Sequence, residues 1–190
     1  MSQADIDFFI KSAYNNTLTP EDVKIAVARG IPVNGRHGDD GSTALHWAVQ
    51  WKRCGLVVAL VAAGADANVK NSCGDTSIWM GAFGGTADIL QLVIDGGGCV
   101  NEPDNYGQTP LIGLVRYYRG DVAARLQVLL RCPELDLDTK YDGKTAEEWA
   151  VRRGNPELAA AIAEERRRRM RWSALRSTWI AAITATTVAL

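Results

Sequence analysis

Four phrases decide how this chain folds: GSTALHWAV from Gly41, GDTSIWMGA from Gly74, GQTPLIGLV from Gly107 and GKTAEEWAV from Gly143. The first three begin 33 residues apart and the fourth begins 36 residues further on. An apolar segment follows each. A closing phrase then ends the first three units: GADANVKN from Gly64, GGCVNEPD from Gly97 and the looser PELDLDTK from Pro133. An earlier GIPVN from Gly30 closes a unit that has lost its opening phrase. Self-similarity at a fixed period near 33 residues is the mark of a stacked repeat.

One unit can be read physically. The leading glycine permits a tight turn, and the threonine two residues on can cap a helix. A short apolar helix follows, Ala44 to Gln50 in the first clear unit, and after a polar break comes a second helix with apolar residues at helical spacing. That second face reads Leu56, Val57, Leu60, Val61, then Ile89, Leu90, Val93, Ile94, then Val122, Leu126, Leu129, Leu130, then Leu158, Ala159, Ile162, Ala163. A glycine ends the second helix, and the Asn- and Asp-rich stretch after it suits a β-turn or hairpin. So short a helix pair cannot bury its own apolar face. Stacked neighbours bury it and make one continuous core.

This phrase set resembles the ankyrin repeat family, whose unit is a β-turn and two helices over about 33 residues. The resemblance runs from about Asp5 to Arg166, with a three-residue insertion near Tyr117 to Asp121 and Glu147 where the family places a buried leucine. It implies an all-α solenoid of about four to five helix pairs with β-hairpin or turn connections, plus a C-terminal helix. The expected divisions are a degenerate capping repeat at 1–39, repeats at 40–72, 73–105, 106–141 and 142–163, and a basic amphipathic tail at 164–190. In the first unit, Thr19-Pro20-Glu21-Asp22 predicts a helix start running through Val27.

The 190 residues carry 21 Lys and Arg against 22 Asp and Glu, so no overall positive charge invites nucleic acid. Residues 1–163 hold 15 basic and 20 acidic side chains, whereas residues 164–190 hold 6 and 2. Four scattered cysteines without a C-x-x-C pair, and two histidines, fit neither a disulfide framework nor a zinc finger. The N-terminus has early acids and no basic run ahead of an apolar stretch. The expectation is therefore a cytoplasmic setting, or a nuclear one, and not secretion.

No catalytic constellation emerges, and neither a cofactor nor a metal is expected. His46 stands where the ankyrin family places a structural histidine bonded to neighbouring turn backbone; the matching positions are Trp79, Ile112 and Glu148. His37 lies in a polar turn beside Asp39 and Asp40, and Cys73 at a turn tip has no basic neighbour to activate it. Gly96 to Gly98 lacks the Lys-Ser/Thr of a phosphate loop.

What the resemblance implies is a protein-binding groove floored by the first helix of each repeat and edged by the turn tips. The floor positions are Trp47, Gln50 and Trp51, then Met80, Phe83 and Gly84, then Gly113, Arg116 and Tyr117, then Trp149, Arg152 and Arg153. The tips add Asp39, Asp40, Asn71, Ser72, Asp75, Asp104, Asn105, Tyr106 and Gln108. Trp, Tyr and Arg dominate interface energetics, and a strip of Trp47, Trp51, Met80, Phe83 and Tyr117 would form an apolar patch of the kind that marks a partner. For Trp47 and Trp149 a core role competes with this reading. The expected binding residues are Trp51, Phe83, Arg116, Tyr117, Tyr106, Trp47, Met80, Asn71 and Asp75, serving a non-catalytic adaptor or scaffold with a protein partner.

The tail reads AEERRRRMRWSALRSTWIAAITATTVAL from Ala163. Glu164 with Arg168 and Glu165 with Arg169 form i,i+4 pairs, and Trp172, Leu175, Trp179 and Ile183 share a helical face. A helix through about Ile183 is expected, folding onto the last repeat as an end cap, with the four arginines as a solvated face. The alternative is a membrane-recruited adaptor whose tail lies on an anionic surface.

Overall fold

The structure is a computed structural model that describes residues 3–36, 38, 40–117 and 121–188, with residue 3 and those from 180 onward as backbone alone. His37, the Asp39 tip, residues 118–120 of the insertion and the Ile183 side chain lie outside the described residues.

Among the described residues every regular element is a helix. They are α1 (Gln3–Tyr14), α2 (Pro20–Ala28), α3 (Ala44–Gln50), α4 (Cys54–Ala62), α5 (Ser77–Gly84), α6 (Ala87–Asp95), α7 (Pro110–Tyr117), α8 (Val122–Leu130), α9 (Ala146–Arg152) and α10 (Pro156–Val188). They pack as two rows. First helices α1, α3, α5, α7 and α9 each touch the next along one row, and second helices α2, α4, α6, α8 and α10 do so along the other. This is a layered solenoid of the ankyrin kind, with one core running its length from Phe9 and Ile10 to Leu158 and Ile162. Burying each Leu, Ile or Val side chain there contributes about 1.5–3 kcal/mol.

Local chemistry sets the helix starts. Thr19 and Asp22 form a capping box at α2, as do Thr145 and Glu148 at α9. The hydroxyls of Thr76 and Thr86 accept the N–H of the third residue of α5 and α6, Trp79 and Ile89. The hydrogen bond and box with Thr19 hold the Asp22 carboxyl below its ordinary range.

Of the hairpin or turn connections expected, the described residues form turns. Asn71 donates its N–H to Asp75 O at 3.0 Å and Asp104 to Gln108 O at 3.0 Å; Tyr141 and Lys144 make an isolated bridge. Successive tips are stitched together: Ser72 N–H donates to Asp40 O at 2.8 Å and Asn105 N–H to Cys73 O at 3.0 Å. Gly74 sits at φ +81, and a Cβ there would overlap the Asn105 backbone nitrogen, so both conformation and space require glycine. On the opposite end of the units an asparagine ladder repeats. Asn34, Asn68 and Asn101 each donate to a carbonyl of the next unit (Gly64, Gly97, Glu134) and accept from an N–H there (Asp66, Cys99, Asp136).

The structure departs from the sequence reading at three places. In the third repeat the expected Val122, Leu126, Leu129 and Leu130 are all buried, but Arg125 is buried with them, at the position that Leu56 holds in the first. Arg125 thus fills an apolar core position. Its guanidinium donates to Ala82 O at 2.5 Å and to Asp121 O at 3.2 Å, which makes burial tolerable. Burial pushes its pKa down, and Asp121 partly offsets this.

The tail is the second correction. α10 is one 33-residue helix that packs against α9 and α8. Its early turns bury Leu158, Ala159, Ile162 and Glu165, but Met170, Trp172, Leu175 and Trp179 are exposed. Among the described side chains, those that cap the stack lie in the first half of the helix.

Third, the arginine run is not a solvated face throughout. Arg169 donates to Leu135 O at 2.5 Å, Cys132 O at 2.8 Å, Pro133 O at 3.3 Å and Leu130 O at 3.4 Å. Arg166 donates to Leu137 O at 2.8 Å and pairs with Asp138 and Glu147. These two clamp α10 to the segment after α8, and Arg167 and Arg168 face outward. The ion pairs differ accordingly: Glu165 pairs with both Arg168 and Arg169, while Glu164 takes Arg167 and Arg171 in place of the expected Arg168. These arginine hydrogen bonds hold both carboxyls below their ordinary range.

Candidate functional site

Nothing about the row of first helices is chemically uniform. At its N-terminal end Tyr14, Trp47 and Trp51 meet. The Tyr14 and Trp47 rings contact edge-on at 4.8 Å, and Trp51 Nε1 donates to Tyr14 O at 3.1 Å. Trp51 remains 45% exposed, whereas Trp47 is half-buried against the core. Met80 is also half-buried there, so the expected apolar strip is not evenly open.

Further along, side chains from three repeats form a ladder. Trp79 stacks on Phe83 at 5.2 Å, and Phe83 meets Tyr117 edge-on at 6.0 Å. The Arg116 guanidinium lies 4.8 Å from the Tyr117 ring, 4.5 Å from Tyr141 and 4.6 Å from Trp149. Arg116 also donates to Gln108 Oε1. Gly113 makes room for this arrangement, because a Cβ there would sit 3.2 Å from the Trp79 ring. The structure therefore brings Phe83, Arg116 and Tyr117 together and sets Trp51 with Tyr14 instead. Tyr106 projects at a turn tip, 72% exposed. Asn71 and Asp75 are half-buried in turn bonds: Asn71 Oδ1 accepts from Asp75 N–H at 2.9 Å. Burial, with Asp104 nearby, pushes the Asp75 carboxyl up.

Sequence reasoning missed Tyr141 and the role of Trp79. The signal for Trp79 was its register with His46. His46 is fully buried, and its Nε2 lies 3.1 Å from Asp75 O, 29 residues ahead. Trp79 Nε1 donates to Gln108 O at 3.1 Å, also 29 residues ahead. The indole takes over the histidine's bond to the next turn and adds a ring to the ladder. Trp149 is buried, and its Nε1 donates to Tyr141 O at 3.0 Å. Tyr141 sits two residues before Gly143, and no spacing rule singles it out.

Beside Phe83 a cleft of about 740 Å³ opens between the inter-helix segments, bordered also by Gln50, Lys52, Gly84, Asp88 and Asp121. Its walls mix charge with apolar surface. Among the described residues no helix is long and apolar enough to cross a membrane.

Comparison with known proteins bears on the repeat itself. Residues 40–72 match the family model described as Ankyrin repeat. The palmitoyltransferase ZDHHC13 of Homo sapiens is 31% identical over 144 residues, 76% of this chain and 23% of that protein. The palmitoyltransferase AKR1 of Kluyveromyces lactis is 34% identical over 101 residues, 51% of this chain and 13% of that protein. The E3 ubiquitin-protein ligase KEG of Arabidopsis thaliana is 26% identical over 135 residues, 67% of this chain and 8% of that protein. The chain spans less than a quarter of the length of each of these relatives.

Proposed function

On the premise that this chain is built of ankyrin repeats, we propose that it is a non-catalytic protein-interaction module whose partner lies along the row of first helices. Trp51, Phe83, Arg116 and Tyr117 form the predicted centre, and Tyr106 and the Asn71 to Asp75 tip the edge. The observation that carries this reading is the ladder from Trp79 through Phe83, Tyr117 and Arg116 to Tyr141 and Trp149. It crosses three repeats along the first helices, from Trp149, which belongs to the core, to Tyr117, which is exposed. Rigid aromatic and arginine side chains are the types that supply most interface energy. The relatives support it from another side: proteins named for palmitoyl transfer and for ubiquitin ligation share this stretch, so what they share need not be either activity.

The test is affinity capture with the wild-type chain and with the Trp51→Ala, Phe83→Ala double variant, both first shown to be folded by circular dichroism. The expected result is loss of the specific partners in the variant. A folded variant that keeps all of them removes the groove as the docking site.

A second reading, membrane recruitment through α10, is favoured by one observation. Trp172, Leu175 and Trp179 are exposed on a helical stretch beyond the last repeat, with Arg171 and Arg176 beside them and no acid after Glu165. Tryptophan and arginine suit the headgroup region of an anionic bilayer. Flotation of the full chain with anionic vesicles should weaken on Trp172→Ala, Trp179→Ala substitution. Equal flotation of both chains removes this reading.

A further inference from the structure

Within the groove, three cations converge on one indole. The Trp149 ring has Arg116 at 4.6 Å, Arg152 at 5.5 Å and Lys144 at 5.6 Å. They arrive from three places: α7, the last turn of α9, and the turn that precedes α9. Among the described residues none of the three makes an ion pair with a carboxylate: Arg116 donates to Gln108 Oε1, and Lys144 lies 3.4 Å from Asp142 O. Glu148 is the nearby acid that feels Lys140 and Lys144, but its carboxylate is bound to Thr145 N–H at 2.7 Å as a helix cap.

What sets the three apart is their convergence on one ring, whereas Lys24, Lys70 and the arginines from Arg166 to Arg169 and Arg171 meet Glu or Asp side chains. Like charges brought together repel one another. The quadrupoles of Trp149, Tyr141 and Tyr117 offset part of that cost, and an anionic ligand would offset the rest. Arg116 is held by a hydrogen bond and three rings, so little side-chain entropy remains to be lost when a carboxylate binds it.

We infer that this cluster is a subsite for an acidic peptide segment, whose Asp or Glu carboxylates meet Arg116, Lys144 and Arg152 while a neighbouring apolar residue packs on Phe83 and Tyr117. The inference rests on the groove reading above and names its partner's chemistry. A peptide is favoured over a small anion because the apolar rungs at Phe83 and Tyr117 continue directly from the cations, so the site reads charge and hydrophobicity in sequence along one face.

A fluorescently labelled peptide alternating Asp or Glu with Leu, and its Asn/Gln counterpart of the same length, test this by anisotropy on the full chain. The acidic peptide should bind at least tenfold more tightly than the neutral one, and should weaken as salt is raised. Lys144→Gln, Arg152→Gln should lose at least fivefold, and the exposed-tail control Arg167→Gln, Arg171→Gln should lose nothing. Equal binding of the two peptides, or loss only in the tail control, overturns the inference. A wild-type chain that holds a partner sensitive to the Trp51 and Phe83 substitutions but ignores the acidic peptide overturns it too, and leaves the groove reading standing.

Discussion

At position 46 the two ring nitrogens are committed in opposite directions. Nδ1 lies 3.0 Å from Thr43 N, and a backbone N–H can only donate, so Nδ1 is the acceptor and Nε2 carries the proton toward Asp75 O. The neutral ring is therefore the one that fits, and burial pushes the His46 pKa below its ordinary 6.5. The unfolded chain then binds a proton more readily than the folded one. The resulting stability is present above about pH 6.5 and is lost as pH falls below it. His46→Ala should cost about 1–3 kcal/mol at pH 7.5 in a urea melt. It should also flatten the decline in wild-type stability between pH 7.5 and pH 5.5. An unchanged slope would show that another group sets that decline. Trp79 meets the same requirement with no titratable group, so Trp79→Phe should lower stability without altering the pH profile.

At the scale of the element, α10 changes surroundings along its length: its first half is held by Leu158, Ile162 and the Arg166 and Arg169 clamps, and Trp172, Leu175 and Trp179 beyond it are exposed. Arg169 satisfies carbonyls left over where α8 ends, a duty that one guanidinium fork can perform and an ammonium cannot. Arg169→Ala should cost about 1.5–3 kcal/mol, the range for charge-assisted bonds. Amide exchange should quicken in residues 130–138 and in the first half of α10. Arg167→Ala, which removes an exposed pair with Glu164, should stay within about 0.5 kcal/mol. If the two substitutions cost the same, the clamp is not what fixes the helix. Arg169→Lys should resemble the alanine variant more than the wild type.

Across the whole molecule, stability comes from neighbour on neighbour. Interior repeats are held on both sides through packed helices, stitched turn tips and the Asn34, Asn68 and Asn101 ladder. Ile78, at 0% exposure, belongs to a middle repeat. Ile78→Ala should cost about 2–5 kcal/mol, and it should shift the urea midpoints of circular dichroism and tryptophan fluorescence together, since the six tryptophans are distributed from Trp47 to Trp179. Separated midpoints would mean that the stack breaks into independently melting parts.

Period and phrase chemistry were enough to establish the layered helical stack. Gly41, Gly74, Gly107 and Gly143 with their following threonines are local signals, and a helix pair with one apolar face has few ways to cover it except by stacking. The same local signals placed His46, Trp51, Phe83 and Tyr117 on first helices. Local spacing could not reveal which long side chains meet across repeats, because Arg116, Tyr141 and Trp149 are brought together only when α7 and α9 pack. Nor could it show that Arg125 fills a core position, because the insertion ahead of α8 shifts the register and the carbonyl that accepts its charge lies 43 residues away. The tail divided the same way: its helical character was local and readable, but which arginines turn inward depended on carbonyls exposed at the end of another helix.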